Sequence, residues 1–332
     1  MRVGYVGNLS HGLPVASLLQ LDNLNPKYTS LGNLLTQNVT SPAAQAQGIK
    51  VPYPGFVGTV ARALTQYPQF TGAADIAANI GFSLYHSLQA SVQKRYGDLS
   101  FLLSYTLSKQ LNNYTNFSGL GEGYSFSTIQ NAAYLHQYKT LANLDRPQTV
   151  VLSWVYQLPF GPGKRFVKTK SPVLGQVVGG WRLSAIHTYQ SGSIIAVSTS
   201  QGIPGFGPIW ANRLLGVPIK TANGCGNYDP NNPVMNSYLN LAAFADPAPF
   251  AIGNTQVLPN VRQCANFDED VSLQKAFKIH ERLGLEIAAD AQNIFNRHAW
   301  TGLATNIDSP GFGRYSGTTG PRLMQLHVKL EF

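Results

Sequence analysis

The sequence predicts an all-β fold: an antiparallel transmembrane β-barrel with roughly eight strands and long extracellular loops. Three observations predict it. Charged residues make up only 12% of the 332 residues while hydrophobic ones make up 44%, against roughly 25% charge in an ordinary soluble domain. The shortfall is filled by uncharged polar residues and by 32 Gly, 20 Pro and 16 Tyr, which argues against a disordered tail and against a helical bundle. Segments of period-two alternation recur along the chain, and the connections between them are long and short by turns. No run of about 18 or more apolar residues occurs, so no membrane-spanning helix is expected.

The first element is Met1 to Asn8, where Val3 and Tyr5 share one side of an alternating strand. Leu88, Ala90 and Val92 alternate with Gln89, Ser91 and Gln93 and mark a strand at 83–95. At 99–110, Leu99, Phe101, Leu103, Tyr105 and Leu107 oppose Ser100, Ser104, Thr106 and Ser108, with Leu102 as the exception. Val150, Leu152, Trp154 and Tyr156 mark 147–158 less cleanly, and 180–190 and 266–277 are weaker matches. Leu283, Leu285, Ile287, Ala289 and Ala291 mark 283–295. The last segment, 321–332, is sharpest: Met324, Leu326, Val328, Leu330 and Phe332 alternate with Gln325, His327, Lys329 and Glu331. All but the first reach the roughly 9–11 residues that a tilted membrane strand needs.

The connections 9–82, 111–146, 191–265 and 296–320 are long, 96–98 and 278–282 are turns, and 159–179 lies between. Hairpins long at one end and short at the other are the outer-membrane barrel pattern, whereas a soluble sandwich has no reason to sort loop lengths by parity. The turns Tyr96-Gly97-Asp98 and His280-Glu281-Arg282 are therefore expected in the periplasm, with the long loops outside and the chain ending in the periplasm at Phe332. Pro159 to Phe166 carries turn chemistry, and a short helix near Pro172 to Val178 is expected to fill the rest. Tyr96, Tyr105, Trp154, Tyr156, Trp181, Tyr189, Phe277 and Phe332 are expected at the membrane interfaces, where apolar rings with polar tips collect. The alternative is that they are core aromatics of a soluble β domain.

The net charge of +9 is not a nucleic-acid signal. The basic residues are scattered, and the densest cluster, Lys164, Arg165, Lys168 and Lys170, is too short for a basic stripe. Cys225 and Cys264 share one Gly/Asn/Pro-rich region and are too few for a zinc site by themselves. A disulfide stapling an exported loop and two unpaired thiols both remain open, an oxidising compartment favouring the first. Ser91 with Lys94, and Ser272 with Lys275, spell S-x-x-K, but residues three apart on a strand point to opposite faces. The run from Gly311 to Gly317 has the wrong spacing for a dinucleotide loop, and Gly163-Lys164 lacks the other P-loop residues. His86, His136, His187 and His327 have no ligand partner at a metal-binding spacing. No enzyme, metal or cofactor is expected. Neither is a signal peptide, because no charged leader precedes an apolar core.

Several segments carry a family resemblance. They are Tyr85 to Tyr96, Ser104 to Lys109, Asp145-Arg146-Pro147 leading into Leu158 to Arg165, and Gly179 to Ser184 with Tyr189 to Gly192. Ala291 to Asn296, Gly320 to Leu326 with the terminal Phe332, and Tyr5 to Asn8 complete the set. In this order they resemble the C-terminal part of the barrel of Oar-like TonB-dependent outer-membrane transporters of the acidobacterial type. The resemblance implies a barrel of about 22 strands around an N-terminal plug, with energised uptake of large or scarce nutrients. Residues 1–332 hold about eight of those strands, no plug and no energy-coupling box, so the chain is expected to be the C-terminal part of such a barrel.

The same resemblance gives the C-terminal strand a role. Phe332, Leu330, Val328 and Leu326 match the terminal pattern that barrel-assembly machinery reads, by strand addition with pockets for alternate side chains. Glu286, Asp290, Lys329 and Glu331 lie on polar sides of neighbouring strands and are expected to face the lumen. The expected partners are outer-membrane lipid, the assembly machinery, an unidentified extracellular solute, and the energy-coupling TonB complex only where a plug is supplied; no nucleic acid is expected. The expected function is uptake of that solute through an outer-membrane barrel, the alternative being a soluble secreted β-sheet binding protein such as an adhesin or carbohydrate-binding module.

Overall fold

In the computed structural model, which describes residues 1–15, 19–75, 78–113, 130–134, 139–167, 171–226, 228–280 and 283–332, eight long strands form one antiparallel meander. They are β1 (Arg2–Val15), β2 (Ala78–Tyr96), β3 (Leu99–Asn112), β4 (Gln148–Gln157), β5 (Trp181–Gln190), β6 (Asn266–His280), β7 (Leu283–Gln292) and β8 (Leu323–Glu331). Each pairs with its sequence neighbours, and Thr140–Leu141 adds to the end of β3 off this path. The sheet is open: among the described residues, β1 pairs only with β2 and β8 only with β7. Among the described residues, no helix is long and apolar enough to cross a membrane.

Directly opposed residues of paired strands point to the same side, so the register carries one side of the sheet across all eight strands. Phe101, Trp154, Ala185, Val271, Ala291 and Met324 form one continuous row. Val3, Ala90, Tyr105, Val150, Tyr189 and Phe267 form another on the same side. The opposite side carries Arg95, Ser100, Val155, Ser184, Ser272, Asp290 and Gln325 in one row. One face is thus predominantly apolar and the other predominantly polar across the sheet.

The polar face is concave. A single cavity of about 740 Å³ touches β2 through β8 on that side, whereas a flat sheet at ~4.8 Å spacing would spread those strands over roughly 29 Å. The apolar face is therefore the outside of the curl. Aromatics band it at both ends: Tyr96, Tyr156, Trp181 and Phe277 near the short turns, and Tyr105, Tyr189 and Phe267 towards the long connections. From Phe267 to Phe277 the strand runs about 33 Å at ~3.3 Å per residue, which a tilt of roughly 40° reduces to about 25 Å, the height of an outer-membrane lipid band.

Several strand limits differ from the sequence reading. β1 continues past Asn8 to Val15, through register shifts between His11 and Leu13 and between Leu13 and Val15. Gly12, at φ 66, and Pro14 interrupt the alternation there. Gly81 permits the close approach, because a Cβ at that position would lie 2.7 Å from the Leu13 carbonyl oxygen. β7 stops at Gln292 rather than at 295. Asn293 adopts φ 51 and its side chain closes a turn, accepting from Arg297 N at 2.7 Å, a left-handed conformation that Asn tolerates. In the 159–179 connection, helix α1 (Pro172–Val178) is capped by Ser171, whose side chain accepts from Leu174 N, with Pro172 as its first residue. Of the turn His280-Glu281-Arg282, residues 281 and 282 lie outside the described residues, as do His136, Lys168 and Lys170.

The buried apolar cores lie in the long connections. Leu24, Leu35, Ala44, Val60 and Ala61 form one, between β1 and β2. Ile195, Val197, Tyr238, Leu239, Phe244, Leu258, Phe312 and Tyr315, from the connections after β5 and β7, centre the other. Buried Gln130 ties its neighbours together, its Oε1 accepting from Trp210 N at 3.0 Å and Gly253 N at 3.1 Å. Leu24 N donates to Gly205 O and Asn131 Nδ2 to Leu24 O, each at 2.8 Å. The long connections thereby form one cap over that end of the sheet.

The two faces predict opposite responses to charge. Leu103 and Ser100, both on β3, point to the convex and concave faces. Leu103→Arg is expected to cost about 2–4 kcal/mol in urea unfolding from phospholipid vesicles. Ser100→Arg should stay within about 0.5 kcal/mol, and equal costs would refute the assignment of faces.

Candidate functional site

The cavity on the concave face is walled by hydroxyl, amide and charged groups. Arg95 stands at one side, Asp270 and Asp290 at the other, with Ser100, Ser153, Ser184 and Ser272 between. Leu102, Val155 and Ile186 interrupt this polar surface and remain exposed. Such a wall suits a hydrated solute, with charges of both signs and small apolar patches for it to lie against.

The four charges nominated from the sequence share this face, as the pairings Glu286 with Lys329, Gly284 with Glu331 and Asp290 with Gln325 require. Each has a partner. Glu286 accepts from Arg182 Nη2 at 3.2 Å, and the same guanidinium reaches Gln274 through Nε. Asp290 lies 3.0 Å from His327 Nδ1, and Lys329 lies 2.6 Å from Glu331. Asp290 borders the large cavity, while Glu286 and Glu331 border a smaller one near the short turns.

Leu326, Val328 and Leu330 alternate with those charges and project from the convex face, 79%, 66% and 54% exposed. Phe332 follows the strand at the terminus and is 99% exposed. The outer edge of β8 has no partner strand among the described residues. The S-x-x-K pairs are split by the sheet: Ser91 and Ser272 face the concave side, Lys94 and Lys275 the convex.

Cys225 and Cys264 form a disulfide between residues 39 apart, within the cap. Cys264 N donates to the Tyr315 hydroxyl at 3.0 Å, and burial raises that phenol above its ordinary range. A ring of carboxylates and hydroxyls joins two cap segments: the Thr199 hydroxyl lies within hydrogen-bond distance of the Asp246 and Asp308 carboxylates, and Ser200 N donates to Asp308. The Ser200 N–H is the chief reason that the Asp308 carboxyl lies below its ordinary value of 3.8; desolvation opposes it and the Thr199 hydroxyl adds to it.

One strut fixes the cap to the sheet. Asp145, 1% exposed, pairs with Arg262 and also accepts from Gln110 N on β3. Arg262 in turn reaches the Asp145 carbonyl and Gly192. Arg146 bonds Ser193 Oγ at 2.8 Å, and burial, then the adjacent Arg262, lowers its pKa.

Sequence reasoning missed this pairing, since Asp145 and Arg262 are far apart in the chain. It also missed two charges on the convex side of β6. Glu269, fully buried, meets Arg297 at 3.1 Å near the cap. Lys275 Nζ, at the short-turn end, donates to the Gln176 and Gly179 carbonyls at the end of α1. The signal was present: the odd positions of 267–277 read Phe, Glu, Val, Leu, Lys, Phe, two charges on an otherwise apolar parity.

A curled antiparallel meander, apolar outside over the height of a lipid band and polar inside, is the wall of a transmembrane β-barrel. The sequence matches the outer membrane beta barrel domain over residues 1–325, and the chain belongs to that family. It is an outer-membrane protein. No curated protein matches the chain.

Two outcomes are expected at the cap. Asp145→Ala leaves the partly buried Arg262 without its counter-charge and should destabilise the cap by about 3 kcal/mol, read as a lower threshold for proteolysis of the long connections. Asp308, with its lowered pKa, contributes stability that is complete above the ordinary carboxylate value. That contribution disappears as pH falls through the lowered one. Cap protection should therefore drop on acidification, and Asp308→Asn should flatten that part of the profile.

Proposed function

We propose that this chain is the C-terminal wall of a TonB-dependent transporter barrel of the Oar-like type, taking up an unidentified extracellular solute. The long-connection end lies outside the cell and the short turns and Phe332 lie in the periplasm. The observation that carries the reading is the coupling of a polar, cavity-bearing concave face to a folded cap built only from the long connections. A cap with its own apolar cores can present a shaped surface to a solute, and the wall beneath offers it polar groups on the way through. The convex apolar face speaks against a soluble adhesin or carbohydrate-binding module, which would leave that face in water.

In this reading the chain is not an enzyme and carries no cofactor. The assembly machinery engages Phe332, Leu330, Val328 and Leu326 at the open β8 edge, where strand addition has unpaired backbone groups to use. The TonB complex acts through a plug supplied with the rest of the barrel.

The test compares uptake of labelled large solutes, such as metal chelates and oligosaccharides, in cells with and without the gene. Uptake of one of them that needs both the gene and the proton gradient is expected. Uptake that needs the gene but persists after the gradient is collapsed would indicate a passive pore and overturn the energised reading.

A further inference from the structure

We propose that a groove on the convex face, at the short-turn end, binds one anionic glycerophospholipid of the periplasmic leaflet. The groove encloses about 710 Å³. Phe101 on β3, Leu152, Trp154 and Tyr156 on β4, and Phe166 from the 159–179 connection form its sides. These surfaces continue the apolar band that meets lipid, but here the wall is indented, so an acyl chain lies within it. The neighbouring helix α1 exposes Val173, Leu174 and Val177, an apolar face of the kind that rests in a membrane interface. It is held to the sheet by Trp181 Nε1, which donates to Val177 O.

The charges beside the groove select the headgroup. Arg165 lines it, with the guanidinium 5.2 Å from the centre of the Phe166 ring. Lys94, opposite Phe101 in the register, holds its ammonium 5.9 Å from the Tyr96 ring, which also lines the groove. Neither cation has a carboxylate partner among the described residues. The nearby acid, Asp98, is neutralised by Lys164 at 2.6 Å. Two uncompensated cations beside an apolar groove complement a phosphate carried on acyl chains, and Arg in particular matches phosphate geometry.

The full chain, purified in detergent and stripped of lipid, is incubated with phosphatidylglycerol or with phosphatidylcholine and read by native mass spectrometry. One retained phosphatidylglycerol per chain is expected, with at most weak retention of phosphatidylcholine. Arg165→Gln and Lys94→Gln should each weaken retention about fivefold. Leu152→Trp, which fills the groove, should abolish it, with heat-modifiable gel migration confirming that each variant has folded. Equal retention of the two lipids by the unaltered chain, or unchanged retention in the double Gln variant, overturns the site. The leaflet assignment rests on the orientation proposed above and fails separately. Labelling of Pro162→Cys by an impermeant reagent on intact cells would overturn that orientation while the lipid measurements decide the groove.

Discussion

The structure depends on the rule that directly opposed residues of paired strands share a side. Once Phe101 pairs with Trp154, and Trp154 with Ala185, the direction of every other side chain in β3, β4 and β5 is fixed. A slip of one residue anywhere would carry a row of Ser, Gln and Asp to the convex face and the Leu and Val rows to the concave one. In lipid the penalty falls on each misplaced polar group, because hydrocarbon offers no hydrogen bonds to replace those of water. Register, curvature and the low overall charge follow together from that penalty.

On β6, charge on the convex face is tolerated where it can be answered. Lys275 sits at the end of the band where the final carbonyls of α1 are available, and the Trp181 and Phe277 rings flank its ammonium at 5.4 and 4.8 Å. Glu269 sits at the other end, against Arg297. Between them the same strand carries only Val271 and Leu273 on this side. The two charges mark the limits of the hydrocarbon as clearly as the aromatics do.

Apolar burial is placed unusually for a folded chain. The sheet buries little beyond small residues such as Ala185, Ala288 and Ala291, while Leu24, Ile195, Tyr238 and Leu258 are sealed inside the long connections. The cap therefore draws its stability from the hydrophobic effect in water, from the Cys225–Cys264 bridge and from the pair between buried Asp145 and Arg262. The sheet draws its own from the hydrogen-bond ladder and from lipid. Gln110 is the joint, since its backbone N–H on β3 binds the carboxylate that anchors the cap. Two parts held by different forces can be perturbed one at a time.

Alternation along 99–107 or 321–332 is local, and so the strands, their sides and the all-β class were legible from the residues alone. Loop parity, equally local, separated the two ends. Strand limits were less legible where a bulge absorbs the break, as at Gly12 and Pro14, or where an Asn takes a left-handed turn, as at Asn293. The candidate site was legible only as polarity. That Glu286, Asp290, Lys329 and Glu331 share a side follows from parity, but their pairing with Arg182 and His327, and the cavity that Arg95 and Asp290 border together, do not. Sequence determined which residues meet lipid and which meet water, because one covalent step along a strand reverses the side. Only tertiary structure decided the curl, the cap and the strut from Asp145 to Arg262, because these depend on distances between segments far apart in the chain.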